Sequence, residues 1–308
     1  LVFFAAGLSL LIVQRTLRPL REIESVAGRI AGGDLTQRVE NAGPPTTEVG
    51  SLALSLNTML AQVEDAFETQ RASEDRMRQF VSDASHELRT PLATVKGYGE
   101  LYRLGGIPAS ELPDVIRRME TEATRMALMV DDLLELARLD EGRPLKRQLV
   151  DLKVLVHDAA ANLRALDRDR PVTINGIGGG GPESAWVLAD DNKIRQVLAN
   201  LTGNAVQHTP AGTAVGLAVG TEDGEAVIEV CDHGNGVSDD ALERIFERFY
   251  RIDASRSRAS GGTGLGLAIV AAVVATHGGT TRATPTPGGG LTIRVTLPAA
   301  EGLADDDE

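Results

Sequence analysis

Cysteine is all but missing from the 308 residues: Cys231 stands alone, so no disulfide can form within the chain. That excludes a disulfide-built domain and makes a reducing compartment the default for most of the chain. Cys231 precedes Asp232 in an apolar run and reads as a buried, inert strand thiol. Aromatic residues make up only 3% of the chain, while Ala, Leu and Val are plentiful, which suits helical packing more than aromatic recognition. Positive charge is outweighed, with 31 Lys and Arg against 44 Asp and Glu, a net charge of −13 and an acidic end, LADDDE. Nucleic-acid binding, which wants a basic face, is excluded on that ground. A full-length apolar span is lacking too. Residues 1–13, LVFFAAGLSLLIV, carry no charge, yet as helix they reach only ~20 Å of a ~30 Å hydrocarbon core. No basic residue or initiator methionine precedes them, which weakens a signal-peptide reading. The expectation is the cytoplasmic half of a helix in the inner (plasma) membrane. Arg15, Arg18 and Arg21 place the residues after about 14 inside by the positive-inside rule. A buried soluble helix is the alternative.

What is present is a histidine in an unusual setting. In Phe80–Leu92, FVSDASHELRTPL, His86 lies in a run that reads as helix. Thr90 at i+4 projects from the same face one turn on, and Glu87 adjoins the imidazole. Pro91 has no amide hydrogen, so the bond back to the Glu87 carbonyl cannot form, which predicts a bend within a turn of His86. An exposed nucleophile beside a bend leaves room for two large partners to reach one ring nitrogen in turn. An ordinary surface histidine on an amphipathic helix is the competing reading.

Upstream, Leu20, Ile23, Ala27 and Ile30 follow the 3-4-3 spacing of a coiled-coil seam. The helix should stop at Gly32-Gly33, and Asn41–Pro45 reads as a connector. A second heptad helix starts near Glu48, with Leu52, Leu56, Met59, Val63 and Ala66 on its seam. Downstream of His86, Gly105-Gly106-Ile107-Pro108 should break the helix. Another follows from about Ser110 to Leu139, with Val115, Met119, Met126, Met129, Val130, Leu133 and Leu136 as its apolar face. A hairpin with one apolar face cannot bury that face alone, so a dimeric four-helix bundle is expected. The texture changes after Gly142-Arg143-Pro144. Strands are expected at Trp186–Ala189, Ala214–Val219, Ala226–Cys231 and Leu291–Leu297. Helices are expected at Val150–Arg164, Asp191–His208, Asp239–Tyr250 and Leu265–His277. Gly178–Pro182 reads as a strand connection rather than a phosphate loop. Hairpin strands with helices between them predict an α+β sandwich of two layers.

Four short motifs fall in order in this second half. The helix QVLANLTGNAVQHTP places Asn200 and Asn204 at i, i+4, with Gln207 and His208 one turn on. The amide oxygen of Asn204 suits Mg²⁺, a hard ion that keeps waters and shares its load with phosphates. Asp232-His233-Gly234-Asn235-Gly236 puts a carboxylate at a strand end, where it can accept from the exocyclic amine of adenine. Gly234 and Gly236 let the backbone turn and approach a ring. Phe246-Glu247-Arg248-Phe249-Tyr250-Arg251 comes next. Gly261-Gly262-Thr263-Gly264-Leu265-Gly266-Leu267 then runs into an apolar helix, an arrangement whose amides make an anion cradle. Each motif alone also describes ordinary turns and solvated polar faces.

The two heptad helices and their linker, with Pro19 early in the first and Glu48-Val49-Gly50 opening the second, resemble a HAMP relay. With the complete H-E-x-x-T-P-L box at His86–Leu92 and these four motifs, the chain resembles a HAMP-containing transmembrane sensor histidine kinase of a two-component system. The resemblance covers roughly Thr16 to Ala300. It implies a multidomain protein: an end of a transmembrane helix at 1–13 and an all-α HAMP coiled coil at 14–68. A dimeric four-helix-bundle histidine phosphotransfer domain follows at 69–143, an α+β ATP-binding domain at 144–300 and an acidic tail at 301–308. His86 is then the phosphoacceptor, with Glu87 and Thr90 as its catalytic neighbours. ATP and Mg²⁺ are the implied cofactors. The implied nucleotide site comprises Asn200, Asn204 (also the metal ligand), Gln207, His208, Asp232, Gly234, Gly236, Phe246, Arg251, Gly262, Thr263, Gly264, Leu265 and Gly266. Residues from about Gly236 to Gly262 are the implied lid, with Arg256 and Arg258 in it. The implied partners are a second copy of the chain, a response-regulator receiver domain that accepts the phosphoryl group on an aspartate, and the membrane. A nucleotide-binding scaffold and a phosphatase-dominant sensor are the alternatives. The chain departs from the family at Gln207, where a basic residue is common. A neutral amide donates to a phosphate but brings no charge, so Gln207→Lys is expected to tighten nucleotide binding; an unchanged dissociation constant would refute this.

Overall fold

The computed structural model describes residues 2–39, 46–140, 145–251 and 262–300. The connector expected at 41–45, the Ser/Arg-rich middle of the expected lid, with Arg256 and Arg258, and the acidic tail lie outside these. The chain divides into two compact units, Leu1–Asp83 and Ala84–Glu308.

The first unit is helical. α1 spans Val2–Ala31 and α2 starts at Glu48. α1 ends where the spacing predicts, because Gly33 takes a positive φ of 98°. Its N–H reaches the Ile30 carbonyl and that of Asp34 reaches the Arg29 carbonyl, so glycine closes the helix end at little steric cost. Val26, Val39 and Ala53 form a small buried cluster with Ile23, Ile30 and Leu56 against it. Asn57 clasps the Val39 backbone at two points, accepting from its N–H and donating to its carbonyl, each at 3.0 Å. An ion pair joins Arg38 to Glu64. The buried stripe runs through Val26, Ala53 and Leu60, while Leu20, Ala27, Leu52 and Met59 from the expected seam stay exposed within the single chain. No described helix is long and apolar enough to cross a membrane.

α2 extends unbroken to Arg103, with Pro91 inside it. The lost hydrogen bond at Pro91 is one among many in a 56-residue helix and does not end it. In the second unit, Gly105 at φ 68° makes the predicted break. α3 follows at Leu112–Asp140. The ATPase-like portion then runs β1 (Gln148–Asp151), α4 (Leu152–Leu166), β2 (Val172–Asn175), β3 (Trp186–Ala189) and α5 (Asp191–Gln207). It continues β4 (Val215–Glu222), β5 (Glu225–Asp232), α6 (Asp239–Arg244), α7 (Gly266–Thr276), β6 (Thr280–Pro285) and β7 (Leu291–Pro298).

Five strands form one mixed sheet in the order β2-β4-β5-β7-β6, parallel only between β2 and β4; β1 and β3 pair separately. β7 shows why the sheet has two faces. Leu291, Ile293, Val295 and Leu297 are buried, while Thr292, Arg294 and Thr296 alternate outward. Across the outward face Arg294 pairs with Glu229 of the adjoining β5 and with Glu222 of β4 beyond it. α4, α5 and α7 cover the buried face, so the sandwich has two layers. β4 and β5 are joined by Asp223-Gly224, both at positive φ, the turn that matches strand twist.

Three strands, β1, β2 and β6, lie outside the predicted set: β1 and β2 are only four residues long, and β6 (TTRATP) carries no large apolar residue. Val150 belongs to β1 rather than to a helix. Asp151 caps α4 by accepting from the Lys153 N–H at 2.9 Å, so the helix begins only at Leu152. α6 stops at Arg244, short of the predicted Tyr250. Phe249 takes φ 61°, which no helix accommodates, and its N–H donates to the Gly264 carbonyl at 3.0 Å. Cys231 is half-buried rather than buried, and desolvation pushes its thiol up.

α3 packs differently from a free hairpin face. Met129, Leu136 and Leu139 are buried in the same apolar core as Ile269, Val273 and Leu198 of the ATPase-like portion. Val130, Leu134, Leu128 and Ile116 remain exposed.

The tightest backbone approach near the cavity is at Gly290, φ 111°, where any Cβ would collide with the Asp232 carbonyl. Gly290→Ala is expected to cost about 1–3 kcal/mol from backbone strain alone, read as a lowered urea midpoint. An unchanged midpoint would contradict this packing.

Candidate functional site

α5 sorts its residues onto two faces. Ile194, Val197, Leu198, Leu201 and Ala205 are buried beneath it, which turns Asn200, Asn204, Gln207 and His208 toward a cavity of about 600 Å³. The Asn200 amide donates to the Gly266 carbonyl at 3.3 Å and ties α5 to the first turn of α7.

Asp232 ends the central strand β5 and is buried to 8% exposure. Its Oδ1 accepts from the Gly234 N–H at 2.9 Å and from the Leu291 N–H of the neighbouring strand at 3.2 Å. Both bonds fix the carboxylate plane, and Gly234 serves that purpose rather than lining the cavity. Gly236 does line it. Arg170, buried to 4% exposure, braces the loop after α5. It donates to the Thr209 hydroxyl and to the Thr213 and Pro210 carbonyls, and the methyl of Thr209 packs beside Gly234. His208, at the end of α5 and still partly open to solvent, is held below the ordinary histidine range. Desolvation is the first cause and the Arg251 charge the second, against the pull of Asp232.

The glycine-rich segment closes the other side. Gly264, φ 72°, packs tightly against the Phe249 backbone, and Gly262 lies against the end of the Gln207 side chain. Gly262, Thr263, Gly264 and Gly266 line the cavity, as do Tyr250 and Arg251. The Arg244 guanidinium stacks 4.6 Å over the Tyr250 ring. Leu265 is fully buried in the core and Phe246 packs against it, so both support the walls without lining the cavity.

A wall absent from the sequence reading comes from α3. Leu128 and Asp132 line the cavity. The Thr263 hydroxyl donates to Asp132 Oδ2 at 2.8 Å and accepts from the Leu265 N–H at 3.3 Å. Burial raises the Asp132 carboxyl above its usual range; the Thr263 bond opposes this and Asp131 adds to it. Nothing local in the sequence marks Asp132, because its contact with Thr263 joins segments 131 residues apart.

His86, Glu87 and Thr90 stand apart on α2. His86 and Thr90 are exposed, Glu87 is half-buried, and none lines the cavity. Leu88 packs against the main core. Among the described residues no cluster of three or more His, Cys, Asp or Glu could hold a metal. The cavity does offer the hard amide oxygens of Asn200 and Asn204, which fit an ion carried in with phosphates.

A cavity between a helix bearing two asparagines, a strand-end aspartate and a glycine-rich helix start, all on a two-layer sandwich, defines an ATPase domain of one particular class. Residues 189–301 match the family "Histidine kinase-, DNA gyrase B-, and HSP90-like ATPase". Residues 76–142 match "His Kinase A (phospho-acceptor) domain" and residues 11–65 match "HAMP domain". The chain is 39% identical over 292 residues to the probable sensor histidine kinase TcrY of Mycobacterium tuberculosis, covering 92% of this chain and 61% of that protein. It is 33% identical over 302 residues to the signal transduction histidine-protein kinase BaeS of Escherichia coli, covering 97% and 61%. The structure of full-length ShkA in complex with AMPPNP is similar at 30% identity and a TM-score of 0.52, over 72% of this chain and 46% of that one. The chain belongs to the HAMP-containing sensor histidine kinases of two-component systems. It spans about three-fifths of the length of the curated relatives it matches.

Asp232→Ala removes the acceptor of two backbone N–H groups. It is expected to cost about 1–3 kcal/mol of stability with no nucleotide present, measured by equilibrium denaturation. Stability equal to the parent's would contradict the bracing role.

Proposed function

We propose that the chain phosphorylates itself on His86 from ATP bound in the cavity, then passes the phosphoryl group to an aspartate of a response-regulator receiver domain. The observation that carries this reading is one chain holding both an exposed His86 in a complete H-E-x-x-T-P-L box and an Asp232–Asn204–glycine cavity. Asp232 Oδ2 accepts from the exocyclic amine of adenine, since Oδ1 is engaged by backbone N–H groups. Asn204 holds Mg²⁺, which supplies charge neutralisation on the phosphates when bound. Gly262–Gly266 and the start of α7 cradle phosphate oxygens, and Arg251 reaches the terminal ones. A ring nitrogen of His86 attacks the γ-phosphorus as the bond to the ADP oxygen breaks, and Glu87 takes or steers the proton of the other ring nitrogen. Positioning and charge neutralisation do most of the catalytic work.

The chain acts as a homodimer through the α2–α3 hairpin and is anchored to the membrane by residues 1–13, with the rest cytoplasmic. The division into HAMP, phosphotransfer and ATP-binding domains at 14–68, 69–143 and 144–300 belongs to the same proposal. A phosphatase mode is favoured by Thr90, exposed one turn from His86 and positioned to orient a water against the receiver's acyl phosphate.

Incubation with Mg²⁺ and ATP radiolabelled at the γ-phosphate tests the reading. Acid-labile, alkali-stable label in the parent and none in His86→Ala is the expected result. Label that persists in His86→Ala would move the acceptor elsewhere and refute the mechanism.

A further inference from the structure

A pocket for a polyphosphate should meet its ligand with N–H groups and positive charge. Here a carboxylate already stands in the cavity wall. The hydroxyl of Thr263, at the head of α7, is engaged by Asp132 of α3 at 2.8 Å. The contact belongs to a docked surface. Met129 and Leu136 bury the middle of α3 in the ATPase core. Arg125 donates to the Gly262 carbonyl at 3.5 Å, Glu135 pairs with Lys193 of α5, and Asp140 takes both its oxygens to Arg248 at 2.8–2.9 Å. The same helix thus holds the ATP-binding portion by its core, grips it by three ion-paired or hydrogen-bonded points, and inserts an anion beside its glycine-rich segment.

Resting on the nucleotide reading above, we propose that Asp132 is a built-in competitor for the phosphates, so that nucleotide binding and docking of α3 oppose each other. A like charge placed at the cradle repels the triphosphate and occupies the hydroxyl that would otherwise face it. Burial already disfavours the charged form of Asp132, so the docked carboxylate depends on the Thr263 hydroxyl to stay there. The docked surface is also imperfectly satisfied. Arg125 Nε and Glu122 Oε2 are buried without a hydrogen bond, and Glu122 Oε2 meets another Arg125 guanidinium nitrogen at 3.9 Å in a loose ion pair, a cost that release into water relieves. Since His86 does not line the cavity of its own chain, transfer within one chain needs an arrangement other than the docked one. Nucleotide entry that loosens α3 therefore couples loading of the site to release of the ATP-binding domain.

Calorimetric titration of the whole chain with Mg-AMPPNP decides the matter. Asp132→Asn keeps the side chain's shape and removes its charge; it is expected to bind at least about fivefold tighter than the parent, the low end of ordinary coupling between sites. By reciprocity, saturating AMPPNP should speed amide hydrogen exchange along α3 between Arg125 and Leu139. If Asp132→Asn does not fold, Asp140→Asn, which weakens docking without touching the cavity, should shift affinity the same way. Unchanged or weaker binding in the folded variant overturns the proposal, and weaker binding would recast Asp132 as a ligand-holding group. Absence of AMPPNP binding in parent and variant alike would instead remove the nucleotide reading on which the proposal stands.

Discussion

One carboxylate oxygen, Oδ1 of Asp232, joins the parts that must agree for the cavity to exist. It ends the middle strand of the five, takes one N–H from its own loop and another from the start of the next strand, and is buried. Two backbone donors on one oxygen leave the carboxylate no freedom to rotate. They also require the two chain segments to pass closer than any side chain allows, which is why glycine stands at 290 with a positive φ. Arg170 reinforces the same corner from the far side through Thr209. The sheet, the loop after α5 and the β6–β7 turn are thereby fixed around one acceptor. In a partly desolvated cavity such a preset group recognises its ligand at little reorganisation cost.

The second constraint is the placement of α3. Its apolar stripe packs on the ATPase core, while Ile116, Leu128, Val130 and Leu134 on the same helix stay exposed. Packing and electrostatics pull in different directions there. Buried Met129 and Leu136 favour docking, whereas the carboxylate of Asp132 and the buried atoms of Arg125 and Glu122 that lack a hydrogen bond work against it. A contact with opposing terms of this kind is easily biased, which suits a signalling protein whose output depends on which domain meets which helix.

Much of this architecture is readable from residues alone, for identifiable reasons. α5 and α7 declare themselves through an apolar face bounded by Asp190 and by glycines, and β7 through strict alternation from Leu291 to Leu297. The cavity residues are legible because asparagine at i, i+4 and clustered glycine are unusual in a helix and at a helix start. β1 and β2 are not legible, since four residues that mix polar with apolar side chains carry too little pattern, whereas the equally short β3 is apolar throughout. The end of α6 is missed because the aromatic run through Tyr250 looks helical, while a backbone bond from Phe249 to Gly264 forces φ positive. Asp132 escapes for a different reason. Its role arises from packing between segments 131 residues apart in sequence, and no local pattern encodes that.

The central claim is that Asp232 is held in place to read an exocyclic amine. Comparing the binding of ATP with that of ITP tests it most directly, because ITP carries a carbonyl in place of the exocyclic amine and a proton on the adjoining ring nitrogen N1. The account predicts that ATP binds tighter by about a hundredfold or more, since the ITP carbonyl would face a fixed acceptor with no proton between them. Equal affinity for the two nucleotides would contradict it.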